Sequence, residues 1–157
     1  MKQKTKTYII SIILALAVGG LSAFLTRGNM DIYDQLNTPP LSPPGILFPI
    51  VWTILYALMG ISAAMVWSDE FALPAKKRSA IYVYAASLFF NFFWSILFFN
   101  LNVFFISFLW LIVLFALIIA TIIKYRRISP LAAYLQIPYA LWVAFAGYLN
   151  LGIWYFN

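Results

Sequence analysis

Five apolar runs, each about as long as a bilayer core is thick, constrain this chain more than any other feature. They cover roughly residues 8–26, 45–67, 79–99, 103–123 and 129–155. A helix rising about 1.5 Å per residue needs about 20 apolar residues to cross about 30 Å of hydrocarbon. None of the runs alternates at period two, which argues against a membrane β-barrel. The composition agrees, with 65% hydrophobic and 9% charged residues, against about 45–50% and about 25% in a soluble domain. No water-soluble packing hides that much apolar surface. The sequence therefore predicts an all-α integral membrane protein, a single bundle of five transmembrane helices in one domain over residues 1–157, with residues 27–44 as a loop covering one end.

The first run follows the basic segment KQKTKT, the pattern of a signal peptide as well as of a first span. It is longer than a signal h-region and lacks an A-x-A site, and Ala15, Gly19 and Ala23 form a ridge suited to close helix packing. A first transmembrane helix is the better reading. Gly60 with Ala64, and Ala116 with Ala120, offer two more such ridges, for internal packing or for a dimer. Asn100–Asn102 reads as a tight turn, Pro130 opens the last span, and Pro138 inside it is expected to bend the helix or free a carbonyl. Trp67, Tyr125, Trp154 and Tyr155 fall near span ends and read as interface anchors.

Lysine and arginine set the expected orientation. Nine of the ten basic residues lie in the N-terminus and in the second and fourth loops, and Arg27 alone lies on the opposite side. By the positive-inside rule the N-terminus is expected in the cytoplasm and the C-terminus outside, in a multi-pass protein of the cell membrane. These clusters flank apolar runs, so the net charge of +6 signals topology and not nucleic acid.

The interior of the spans carries no charged residue, and the chain has neither cysteine nor histidine. Ion-coupled carriers rely on buried ionisable groups, and inverted-repeat transporters show internal duplication. Neither feature is present, and hydrolytic, zinc and thiol chemistries lack their groups as well. No cofactor and no metal site is expected.

Aromatic and amide side chains remain. Pro39, Pro40, Pro43 and Pro44 make a stiff, non-helical cover that leads into a helix carrying Phe48, Trp52 and Tyr56 on one face. Tyr84, Asn91, Trp94 and Phe98 recur on the third span, and Pro138, Trp142, Ala146, Leu149 and Asn150 on the fifth. Taken singly, each stripe reads as helix packing first, and the two asparagines as interhelical glue. Taken together, three stripes each bearing a tryptophan are expected to converge beneath the proline cover, as walls of a pocket for a flat hydrophobic ligand.

The residues that carry this argument also carry a resemblance. PPLSPP at 39–44 with FPIVWTILY at 48–56, NFFWSILFF at 91–99 and SPLAA at 129–133, followed by Pro138, Tyr139, Trp142 and Asn150, resemble the motifs of the tryptophan-rich sensory protein family, which includes the translocator or peripheral benzodiazepine receptor proteins. The resemblance implies a five-helix bundle, often a homodimer, that binds porphyrins and, in animal members, cholesterol and benzodiazepine- or isoquinoline-type drugs. The ligand-binding positions it implies here are Trp52, Asn91, Trp94, Trp142, Ala146 and Leu149, with Tyr33, Pro44 and Phe48 beside them. Some bacterial members are described as degrading protoporphyrin oxidatively in light, and by resemblance Trp52 and Trp142 are the catalytic candidates. Tetrapyrrole or lipid transport is the further alternative. The chain departs from the family at its end: no basic residue follows Tyr155, so the cholesterol motif is incomplete. Without histidine, metal-free porphyrin is favoured over haem.

Overall fold

In a computed structural model, which describes residues 1–157, all the regular structure is helical, with no strand. The elements are α1 (Lys2–Thr26), α2 (Ile32–Gln35), α3 (Leu47–Trp67), α4 (Pro74–Ser95), α5 (Phe104–Arg126) and α6 (Pro130–Phe156). A π-helical turn, Ile96–Asn100, extends α4. All but α2 are long and apolar enough to cross a membrane.

Helices α1, α4 and α5 outrun their apolar runs because polar residues at their ends support helix as well as apolar ones do. In α1 the KQKTKT segment is already helical, with Thr5 and Thr7 hydroxyls donating to the carbonyls of Met1 and Gln3. α4 starts at Pro74 and not near residue 79. Proline at the first helical position is pre-set in φ and gives up a donor that would lack a partner anyway. α3 starts two residues after Gly45, and α6 continues unbroken through Pro138, whose ring leaves the Tyr134 carbonyl without its usual donor. The turn after the third span is made by the π-helical residues and by Asn102 at φ 54°. The loop over 27–44 holds the one short helix, α2, which no periodicity announces.

The five long helices form a closed ring in the order α1, α3, α6, α5, α4 and back to α1. Hydrocarbon solvates leucine as well as a neighbouring helix does, so association depends on close backbone approach and on polar contacts. α1 and α3 show both. Gly60 lies against the backbone of Ile12, Gly19 lies under the ring of Tyr56, and the Ser11 hydroxyl donates to the Gly60 carbonyl at 2.7 Å. Two of the three small-residue ridges thus meet in one seam. Ala116, by contrast, faces outward on α5.

One expected interface anchor is displaced. Tyr125 is fully buried, its ring centroid 6.3 Å from that of Tyr84, because it sits on the inward face of α5 with Leu114, Ile118 and Thr121. Trp67, Trp154 and Tyr155 are exposed at the helix ends.

The seam generates a paired expectation. A Cβ at Gly60 would stand 2.5 Å from Ile12 Cα, whereas one at Gly147 meets nothing within 4 Å. Gly60→Ala is expected to lower the unfolding free energy by about 1–3 kcal/mol, and Gly147→Ala to raise it by about 0.5–1 kcal/mol. Thermal unfolding of both variants in detergent distinguishes them, and equal midpoints would disprove the close approach.

Candidate functional site

Beneath residues 27–44, on the face opposite the basic clusters, lies a cavity of about 100 Å³. Its walls come from four of the five long helices and from the loop. Helix α3 supplies Phe48, Trp52 and Tyr56, α4 supplies Asn91 and Trp94, and the π-helical turn after it supplies Phe98. From α6 come Ala146, Leu149 and Asn150, and from the loop Met30 and Tyr33. These spacings put each set on one inward face, three or four residues apart.

Trp52 sits at the centre. Its ring centroid is 5.7 Å from Tyr56, 6.2 Å from Tyr139 and 6.5 Å from Trp94, within the range of favourable aromatic pairs. Several of the polar groups around it are bonded to one another, while the Tyr139 hydroxyl is buried without a partner. Asn91 Nδ2 donates to the Tyr56 hydroxyl at 3.0 Å, and Trp94 Nε1 donates to Asn150 Oδ1 at 3.0 Å. Asn150 Nδ2 in turn donates to the Phe104 carbonyl at 2.7 Å, which brings α5 into the site although it lines none of the cavity. No charged side chain reaches the space. Such a site stacks and hydrogen-bonds; it has no acid–base pair and no cluster fit to hold a metal ion.

Of the nine ligand-binding positions named from the sequence, Tyr33, Phe48, Trp52, Asn91, Trp94, Ala146 and Leu149 face this one cavity. Pro44 and Trp142 do not. Pro44 is exposed on the outer side of the loop. Trp142 stands behind Phe48, their centroids 5.8 Å apart, with its indole nitrogen buried and unpartnered. Two indoles therefore meet at the cavity where three were expected, because Phe48 fills the gap on the α6 side.

In the α1 wall, Gly19 and Ala23 were legible only as part of a packing ridge, and Ser22 beside them was not marked. Gly19 serves both ends, since its missing side chain makes room for the Tyr56 ring. Met30 and Thr26 carry no signal in the sequence that marks them as lining.

The loop is a strap clipped to the end of α6. Asn157 Oδ1 accepts from the Asn37 backbone N–H at 3.0 Å, and Asn157 Nδ2 donates to the Asn37 carbonyl at 2.8 Å. The Tyr148 hydroxyl donates to the Pro40 carbonyl at 2.6 Å, and Pro39 is buried against Gly152, where any Cβ would strike its ring. Leu41, at φ 68°, takes the left-handed conformation that leucine seldom adopts. Inside the strap, the Tyr33 hydroxyl donates to the Pro43 carbonyl at 2.8 Å, and its ring packs edge-on against Phe48 at 5.0 Å. Partial burial pushes the Tyr33 phenol above its ordinary value, helped by the charge of Asp34 and opposed by a contact with Ser42.

Fold and site together define a class: a five-helix membrane protein with a charge-free aromatic cavity closed by a proline-stiffened strap. The TspO/MBR family model matches residues 11–155. The chain is 34% identical to the tryptophan-rich protein TspO of Chlorobaculum tepidum, over all of this chain and 99% of that one. It is 33% identical to the translocator protein of Bos taurus, over 88% of this chain and 83% of that one. With protein CrtK of Rhodobacter capsulatus the identity is 30%, over 96% and 92%. The chain belongs to the TspO/MBR family and is a multi-pass membrane protein.

Two expectations follow from the geometry. Trp94→Phe strands the Asn150 carbonyl in a dry site and is expected to cost about 1–3 kcal/mol of unfolding free energy. An unchanged denaturant midpoint would show that this bond does not hold α4 to α6. A phenol whose folded pKa is raised favours the fold while it stays protonated, so its contribution is complete below pH 10 and fades as pH rises past that value. Fluorescence of the cavity indoles is therefore expected to stay constant through neutral pH and to change only above about pH 10.

Proposed function

We propose that the protein is a membrane receptor or sensor that takes a flat, porphyrin-type tetrapyrrole, or a drug-like aromatic of similar shape, into the cavity beneath the strap. One observation carries this reading: Trp52 and Trp94 stand 6.5 Å apart in a charge-free cavity that also presents the amide-bearing Asn91 and Asn150. Indole faces offer stacking area to a planar macrocycle, and the few polar groups orient it. The names of the relatives, tryptophan-rich sensory protein and translocator protein, fit a role in recognition within the membrane. On this reading the face with the nine clustered cations is cytoplasmic, and the strap and the C-terminus lie outside.

The size of the cavity bears on how a ligand of this kind enters. A dry cavity of about 150 Å³ admits a benzene ring, and this one, at about 100 Å³, is smaller. On this reading a macrocycle needs the cavity to widen, and movement of the strap and of Phe48, whose ring lies 5.8 Å from that of Trp142, would supply the room.

A second reading has its own support in the same rings. Trp52 lies within 6.5 Å of three other electron-rich rings, those of Tyr56, Trp94 and Tyr139. An excited porphyrin held there is placed to take an electron from an indole, which suits light-dependent oxidative breakdown of protoporphyrin with molecular oxygen as the terminal oxidant.

Titration with protoporphyrin, followed by quenching of indole fluorescence, tests the receptor reading. The double variant Trp52→Ala, Trp142→Ala is expected to bind about tenfold more weakly or worse, and unchanged affinity rules out this cavity. Asn157→Ala, which removes one of the strap's fastenings to α6 and leaves the Tyr148–Pro40 bond, is expected to raise the association rate several-fold with a smaller effect on affinity. For the photochemical reading, product formation lost in Trp52→Phe supports it. Equal bleaching by heat-denatured protein assigns the reaction to the dye.

A further inference from the structure

On the opposite half of the bundle, near the basic face, α1 and α4 part. They are joined toward the strap side by the Ser22 hydroxyl, which donates to the Phe92 carbonyl at 3.3 Å. Toward the other side a lateral groove of about 310 Å³ opens between them. Its floor is made of the small residues Ala15, Ala63 and Ala64, and Leu14 and Leu88 flank it. Tyr84 also lines it. That side chain is only 6% exposed, and its hydroxyl has no hydrogen-bond partner in the protein. At the end of the groove stands Trp67, half exposed, which also lines a second hollow with Pro74, Lys77 and Arg78. An apolar channel with one free hydroxyl thus runs into a cationic notch at the membrane surface.

We propose that this groove holds one acyl chain of an anionic phospholipid, with the lipid phosphate in the notch beside Arg78 and Lys77. The charges facing the notch favour an anion. The acids nearby are engaged: Asp69 accepts from the Phe71 and Ala72 backbone N–H groups, and Glu70 pairs with Lys4 at 2.7 Å. Lys77 Nζ donates to the carbonyls of Trp67 at 3.1 Å and Asp69 at 2.7 Å, which leaves one of its three donors for a ligand. Arg78 and Lys76 have no carboxylate partner. The phosphate also lies near the N-terminal end of α4, a helix of 22 residues whose dipole favours negative charge there.

The heights agree with a lipid. Tyr84 lies six residues below Arg78 on α4, about 9 Å along the axis, and side chains on a helix lean toward its N-terminus. Its hydroxyl therefore reaches the layer of the glycerol ester carbonyls, whose oxygens accept a hydrogen bond. The chain below lies over the alanine floor.

Native mass spectrometry of the detergent-released full chain tests this, after incubation with equal amounts of phosphatidylglycerol and phosphatidylcholine carrying identical acyl chains. Preferential retention of one phosphatidylglycerol is expected. Arg78→Gln is expected to reduce that preference about fivefold, from about 1 kcal/mol per cation near an anionic lipid. Tyr84→Phe is expected to lower retention of both lipids while leaving the preference in place. Arg126→Gln with Arg127→Gln, on the same face but away from the groove, is expected to change neither. Equal retention of the two lipids overturns the proposal. So does a loss in the Arg126/Arg127 variant as large as in Arg78→Gln, which would mean attraction to the whole basic face. Unchanged retention in Tyr84→Phe also overturns it, since the headgroup would then sit on the rim with no chain in the groove. A lipid-free dimer in place of the adduct would assign the groove to a second copy of the chain.

Discussion

The hydrogen bond from the Trp94 indole to the Asn150 amide, with the bond from that amide to the Phe104 carbonyl, is the contact on which this architecture turns. It joins α4, α6 and α5 through one side chain. In water the hydrophobic effect would draw these helices together without help. In hydrocarbon that drive vanishes, and polar bonds and close backbone approach replace it. A donor or acceptor buried here without a partner costs more than the net worth of a made bond. The amides therefore act first as struts, and the cavity exists because the struts hold the ring of helices open around aromatic side chains too large to collapse.

The opposite side of the ring is held by a different device. Gly60 and Gly19 let α1 lie close against α3, where Ser11 bonds to the Gly60 carbonyl. That proximity gives the cavity its fourth helical wall, and the Tyr56 ring fits into the space that Gly19 leaves. The strap completes the enclosure. Its prolines make it stiff, and the Asn37–Asn157 pair and the Tyr148 bond fasten it to the far end of α6. The cover is thus attached to one wall while Tyr33 and Phe48 close it over the other, an arrangement in which opening requires few bonds to break.

The two faces of the bundle divide the physical roles. The strap face carries only Arg27, Asp31 and Asp34 as charged side chains, and it shelters a charge-free aromatic cavity. The other face concentrates cations on loops and helix ends, with a groove that opens sideways into lipid. Membership of the TspO/MBR family accounts for the five-helix membrane fold.

How much of this the sequence revealed varies by element. Span number and type were legible from run length alone, because in a membrane only a helix satisfies its own backbone. The inward faces of α3, α4 and α6 were legible from spacing, which is why Trp52, Asn91, Trp94, Ala146 and Leu149 could be named together and are found around one space. The ring order of the helices was not, and neither was the position of Trp142 behind Phe48. Both depend on which faces meet across the bundle, a question of nonlocal packing that periodicity along one helix does not address. Helix ends were read too short because apolarity marks the membrane, whereas helix formation continues wherever backbone bonds can be made. Composition and periodicity determined that this is a five-helix membrane protein rich in inward aromatic faces. Only the tertiary structure decided which of those faces enclose a cavity, because that choice rests on the close approach at Gly60 and on the few polar bonds that lock each helix at its depth and rotation.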